Sequence, residues 1–151
     1  MYSLFLWSMF SKSCEYALQA VLYLSLKDNN NRSVGLKEIA KAQKIPLHFL
    51  SKILQQLVKS KILDSTKGPN GGFSFKTSPK KLQLIKIVKV IDGSEIFDRC
   101  GIGLKNCSDK TPCPIHFEYK KIKETIIELL KDKTVSELGE DVNLGKSIMN
   151  Y

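Results

Sequence analysis

Leu50, Ile53, Leu54 and Leu57 recur at i, i+3, i+4 and i+7, and His48, Ser51, Lys52, Gln55, Gln56 and Lys59 stand between and after them. That period predicts an amphipathic helix over residues 47–60, with one stripe in a core and a polar face in water. Ahead of it, residues 36–44 predict a shorter helix that turns Ile39 and Ala40 inward. Ile45-Pro46 breaks that helix, because proline disfavours helical backbone in the residue before it. A short helix, a tight turn and a polar-faced helix form the pattern of a helix-turn-helix. An earlier helix is expected from a cap at Ser11 or Ser13 to about residue 26, on the stripe Tyr16, Ala17, Ala20, Val21, Tyr23 and Leu24. The polar run 27–33 reads as a loop.

Beyond the third helix the pattern shortens. Residues 61–76 carry two β-prone runs around Gly68-Pro69-Asn70-Gly71-Gly72. Asn-Gly signals a hairpin because both residues tolerate positive φ, and a hairpin directly after a helix-turn-helix is a wing. Ser78-Pro79 starts a turn or short helix, residues 84–91 predict another helix, and Gly93 is placed to stop it. Residues 97–114 follow neither period. Ile115, Tyr119, Ile122, Ile126 and Leu129 are then spaced 4, 3, 4, 3, a short a/d seam as in a helix that pairs with a partner helix. An amphipathic helix packed on its own core has the same spacing. Thr134-Val-Ser-Glu137 is a capping box for a brief last helix. The expected fold is mainly α with a small β-hairpin wing, a winged helix-turn-helix plus a long C-terminal dimerisation helix. Its expected parts are an apolar extension (1–10), a DNA-binding domain (11–93), a cysteine-containing sensor loop (94–114), and a dimerisation helix with a tail (115–151).

Charge gives this pattern a direction. The chain has 151 residues, 42% of them hydrophobic, enough for one cored domain. Lys and Arg number 24 against 15 Asp and Glu, a net charge of +9 that points to an anionic partner. The polar face of the third helix then fits the major groove of double-stranded DNA, with His48, Ser51, Lys52 and Gln55 toward bases and Lys59 further along. Gln can bond adenine twice, and Lys reaches guanine acceptors or phosphate. At the wing, Lys67 suits the minor groove, while Asn70 and Gly71 allow backbone amides to approach phosphate. The alternative is a solvated helix face beside a protein-binding winged helix; the basic charge favours DNA. The opening MYSLFLWSMF is too short to span a bilayer and lacks the basic lead and cleavage site of a signal peptide. The expectation is that translation starts at Met9, the alternative being a short apolar arm. No other segment is long and apolar enough to cross a membrane, so a cytoplasmic protein without a membrane partner is expected.

Cysteines supply the remaining chemistry. Without a secretion signal, disulfides are disfavoured for Cys14, Cys100, Cys107 and Cys113. Cys100, Cys107, Cys113 and His116 follow one another with gaps of six, five and two residues in a Gly- and Pro-marked stretch. Soft thiolates and an imidazole suit zinc or an iron–sulfur centre, and the lack of a CxxC knuckle tilts the choice to iron–sulfur. The bland alternative is three separate thiols, with His116 the first surface residue of the next helix. Cys14 reads as a packing residue and Glu15 as a helix-start carboxylate. No acidic pair, phosphate loop or serine nucleophile motif appears, and a Cys113–His116 dyad is the weakest reading, so an enzyme is not expected.

Four segments together resemble the Rrf-two family of bacterial transcription regulators. Ser11-Lys-Ser-Cys-Glu-Tyr-Ala-Leu18 resembles its opening helix, and Ile39-Ala-Lys-Ala-Gln-Lys-Ile-Pro-Leu-His-Phe-Leu50 its helix-turn-helix. Lys67-Gly-Pro-Asn-Gly-Gly-Phe73 resembles its Gly-rich wing, and the cysteine loop ending in Cys-Pro-Ile-His116 its sensor loop. The resemblance implies a homodimer whose C-terminal helix crosses to the partner, on a partly palindromic operator. It further implies a two-iron two-sulfur cluster on Cys100, Cys107 and Cys113, sensing redox, nitric oxide or iron–sulfur status. The fourth ligand is a His three residues after the last Cys in some members, matched by His116. In others it is an acidic residue of the other subunit's opening helix, matched by Glu15. The chain departs from the pattern in a first inter-cysteine gap one residue longer and in a Lys at position 67 where Arg is frequent. Some members carry no cluster and answer to a partner protein or a small molecule, which is the alternative here.

Overall fold

The computed structural model describes residues 9–27 and 32–149. The proposed extension up to residue 8, part of the 27–33 loop and the last two residues lie outside the described residues. Ser11 fixes the first helix, α1 (Lys12–Lys27): its hydroxyl oxygen accepts from the Cys14 N–H at 3.0 Å, so Ser11 rather than Ser13 is the cap. The Ser11 N–H donates to Asp92 Oδ2 at 2.8 Å and its hydroxyl donates to the same carboxylate, which ties this end to a later helix.

α2 (Leu36–Gln43) and α3 (Leu47–Lys59) form the helix-turn-helix. Lys44 takes the left-handed conformation (φ 52°) to close α2, and Ile45 drops into the core. All four stripe residues of α3 are buried, packed with Ala17, Ala20, Val21 and Leu24 of α1 and with Ile39 and Ala40 of α2. β1 (Leu63–Thr66) and β2 (Gly72–Phe75) pair antiparallel, Leu63 opposite Phe75 and Thr66 opposite Gly72. The turn between them differs from the expected Asn-Gly geometry. Positive φ falls at Gly68 (108°) and Gly72 (149°), and the Gly71 N–H bonds the Gly68 carbonyl at 2.9 Å across Pro69-Asn70. At Gly72 a contact distant in sequence bears on this: Val34 and Phe73 exchange two backbone hydrogen bonds of 2.9 Å. A Cβ on Gly72 would sit 2.4 Å from the Val34 carbonyl oxygen.

α4 (Leu84–Asp92) is closed by Gly93 at φ 79°, and a single 3-10 turn follows at Ser94–Phe97. The irregular segment then leads into α5 (His116–Asp132) and α6 (Val135–Asn143). Both bonds of the Thr134–Glu137 capping box form. Val135 enters the main core, and α6 lies on α1 where Gly139 meets Ser25. The segment expected to trail behind the dimerisation helix therefore returns to the winged-helix body. A smaller cluster of Cys14, Ile85, Val88 and Leu130 joins α1, α4 and α5. Among the described residues, no helix is long and apolar enough to cross a membrane.

Candidate metal centre and nucleic-acid interface

The core holds α3 by its apolar stripe, which leaves the other face outward. His48, Lys52, Gln55, Gln56 and Lys59 are exposed and Ser51 is half-buried. Phe49 joins them at 49% exposure, its ring 4.1 Å from that of His48. Phe49 falls off the apolar stripe and is not polar, so the spacing of α3 gives no sign of it. On the wing, Lys67 and Asn70 are exposed. Gly71 is half-buried and serves the turn itself, since a Cβ there would lie 2.1 Å from the Thr66 carbonyl oxygen. Arg32, Ser33 and Glu38 share a groove with Pro69 and Asn70, which adds a cation beside the wing that the pattern did not single out.

The sequence-predicted thiols come together. The sulfurs of Cys100, Cys107 and Cys113 lie within 4.8 Å of one another, and those of Cys100 and Cys113 are 3.6 Å apart. Cys113 is buried and the other two half-buried. Backbone hydrogen bonding at Ile102, with help from Leu104 and the neighbouring thiols, brings the Cys100 pKa down to about 7. Cys107 moves the opposite way: hydrogen bonding from the Cys113 backbone favours its thiolate, but burial and the two adjacent cysteines outweigh it. Three thiolates this close repel one another unless a cation sits among them, so this donor set fits a soft metal centre.

His116, the first residue of α5, places Nδ1 3.1 Å from Cys107 Sγ. Its Nε2 lies 2.8 Å from Asp109 Oδ1, and Asp109 Oδ2 accepts from Lys120 Nζ at 2.7 Å. Lys120 and then His116 hold the Asp109 carboxyl below its ordinary range. A tight turn presents Asp109: the Thr111 N–H bonds the Ser108 carbonyl at 3.1 Å and the Thr111 hydroxyl bonds the Asn106 carbonyl at 2.6 Å. Glu15 is outside the group of three sulfurs in its own chain, and its carboxylate meets Lys12 Nζ at 3.0 Å. Cys14 is fully buried in the small cluster, where burial first, then Asp92 and Glu15, pushes its pKa up to about 12.

The 4-3 seam divides. Ile115, Ile122 and Leu129 are 41%, 55% and 55% exposed. Tyr119 instead lays its ring against Gly101, and Ile126 packs on the small cluster. Packing within the subunit, Tyr119 on the cysteine loop and Ile126 on the small cluster, thus accounts for two of the five positions. The other three, seven residues apart, make an outward row that starts at Ile115, just before α5, and continues along that helix.

Residues 10–141 match the Rrf2 family, described as iron-dependent transcriptional regulators. The chain belongs to the Rrf2 family. An Aquifex aeolicus protein classed with HTH-type transcriptional regulators is 35% identical over 131 residues, covering 85% of this chain and 90% of that one. The HTH-type transcriptional regulator IscR of Vibrio campbellii is 27% identical over 126 residues, covering 83% of this chain and 74% of its own. The structure of CymR, the global cysteine regulator of B. subtilis, superposes with a TM-score of 0.73 at 20% identity, over 87% of this chain and 95% of that one. The winged-helix fold and the regulator class expected from the sequence are those of Rrf2 proteins, and these relatives are transcription regulators rather than enzymes.

Proposed function

We propose that this Rrf2 protein is a homodimeric, cytoplasmic regulator that binds a partly palindromic operator and reports redox, nitric oxide or iron–sulfur status through a two-iron two-sulfur cluster. The carrying observation is the convergence of the Cys100, Cys107 and Cys113 sulfurs within 4.8 Å, with His116 Nδ1 beside Cys107. These four residues would hold the cluster. His116 is preferred to Glu15 because it already stands next to a thiol. When bound, the cluster supplies an iron centre that oxidants and nitric oxide attack.

The chain's own residues do the rest. His48, Ser51, Lys52, Gln55 and Lys59 read and grip the major groove, and Lys67 with Asn70 and Gly71 engages the wing's side of the duplex. Ile115, Ile122 and Leu129 meet the partner subunit's helix. Residues 94–114 form the sensor between the DNA-binding body (11–93) and α5. Fixing three thiolates orders that segment and so biases how α5 leaves the body, a change that two half-sites about 34–36 Å apart would register.

The test is anaerobic purification followed by operator binding. Duplexes selected from a random pool by the iron-loaded protein serve as operator. A coloured protein containing iron and sulfide, whose affinity for those duplexes differs between the loaded form and Cys107→Ala, is expected. A colourless protein without iron or sulfide, or a loaded form that binds those duplexes as Cys107→Ala does, overturns the cluster reading. A cavity of about 290 Å³ lined by Phe97, Cys100, Gly101, Tyr119 and Ile126 favours one second reading, a cluster-free regulator gated by a small molecule.

A further inference from the structure

We infer that Asp109 is a positioning residue for the metal centre, holding the His116 ring so that Nδ1, and not Nε2, faces the thiols. This rests on the cluster reading and names what selects His116 as the fourth ligand. An ionised carboxylate only accepts hydrogen bonds, so in the neutral ring the 2.8 Å contact with Asp109 Oδ1 puts the proton on Nε2. The lone pair is then on Nδ1, 3.1 Å from Cys107 Sγ, where it takes the thiol hydrogen bond and where a metal would take its place.

The carboxylate is itself held. Lys120 follows His116 by one turn of α5, and Oδ2 accepts its ammonium at 2.7 Å while Oδ1 faces the imidazole. One acidic side chain thereby clamps the 106–111 turn onto two positions of the same helix face. Asp109 is 62% exposed and Lys120 42%, so the ion pair adds little to global stability. Its value lies in orientation. A carboxylate behind a ligating imidazole fixes the tautomer and raises ligand basicity, and removing such a partner typically weakens a metal site by about 10- to 100-fold.

Two readouts test this on the full-length protein. In the metal-free protein at about pH 8, nitrogen-15 NMR of His116 should give the Nε2–H tautomer in the parent and a shifted tautomer population in Asp109→Ala. In protein reconstituted anaerobically with ferrous iron and sulfide, Asp109→Ala should lose its visible absorption to a chelator about 10- to 100-fold faster. Nitrogen couplings in the reduced protein's pulsed EPR should change with it, and Asp109→Glu should restore part of both. An unchanged tautomer, or equal bleaching rates in parent and Asp109→Ala, overturns the inference. A parent that takes up no iron while its tautomer still depends on Asp109 sinks the cluster reading and upholds the orientation of His116.

Discussion

The two cysteine environments of this protein are opposites. Cys14 sits at 0% exposure among Ile85, Val88 and Leu130, with its thiol pushed up to about 12 by burial. Cys100 is half-buried in a stretch without regular period, with its thiol drawn down to about 7 by backbone hydrogen bonds. The contrast extends to their surroundings. The body is held by apolar side chains at helical spacing. In residues 98–115 the one buried residue is Cys113, and most of the contacts are polar, among them thiols, hydroxyls, carbonyls, an imidazole and a carboxylate. Hydrophobic burial builds the first region with no ligand. The second has a shape but little burial to hold it, which is the condition under which a metal contributes most to local order.

Thiol reactivity should separate the two regions most widely. Values near 7 and 12 make thiolate fractions at neutral pH differ by roughly 10⁴-fold or more. Iodoacetamide mapped by mass spectrometry on native, metal-free protein should label Cys100 first and leave Cys14 unmodified until unfolding. Below about pH 7 the Cys100 thiol is protonated, so its labelling should slow about tenfold per pH unit, and iron loading should protect it. Early labelling of Cys14 would show that the small cluster opens.

Stability should divide the same way. Leu54→Ala removes a side chain of 0% exposure and is expected to cost about 2–5 kcal/mol in urea unfolding, with loss of DNA binding. Cys107→Ala in metal-free protein should stay within about 0.5 kcal/mol of the parent, because that half-buried side chain touches only the loop and the first residue of α5. A large loss for Cys107→Ala would mean that the loop belongs to the cooperative core.

What the sequence discloses follows this division. The α3 stripe was legible because four residues repeat one local period, and the Thr134–Glu137 cap because both partners stand three residues apart. The wing's true positive-φ glycines were not, since Gly72 answers to Val34, a residue far along the chain. Spacing alone left open whether the α5 seam faces a partner or the body. The outcome, Ile126 inward and Ile122 outward, depends on where α4 lies. Asp109 gave no signal: it precedes His116 by seven residues in an aperiodic turn, and only the folded loop brings their side chains together.

The outward row on α5 gives a mid-sized test. Ile122→Glu alters a side chain 55% exposed in the monomer, so the isolated subunit should keep its helical content. If Ile122 meets the partner helix, a buried unpaired charge there should break the dimer. Light scattering should then report monomers, with weakened binding to a two-half-site duplex. Ile126→Glu is the control, and it should damage the subunit's own packing as well. A dimeric Ile122→Glu protein would place the interface on another face.

The smallest expected effect tests whether the body is as apolar as its packing suggests. Among the described residues, Gln43 is the one buried polar side chain in the core, at 4% exposure. Its Oε1 finds no hydrogen-bond partner among them. A buried acceptor left unpaired carries a desolvation cost of about 1–3 kcal/mol, whereas an apolar chain of the same length carries none. Met matches the length and flexibility of Gln and tolerates irregular space. Gln43→Met should therefore leave urea stability unchanged or raise it by about 1 kcal/mol, with the slope of the transition unaltered. The position lies on α2 at the turn into α3, so operator affinity measured beside stability reads whether the helix-turn-helix angle is kept. A loss of about 2 kcal/mol or more would mean that the amide has a buried partner such as an interior water, and that the turn between α2 and α3 is held by a polar contact as the cysteine loop is.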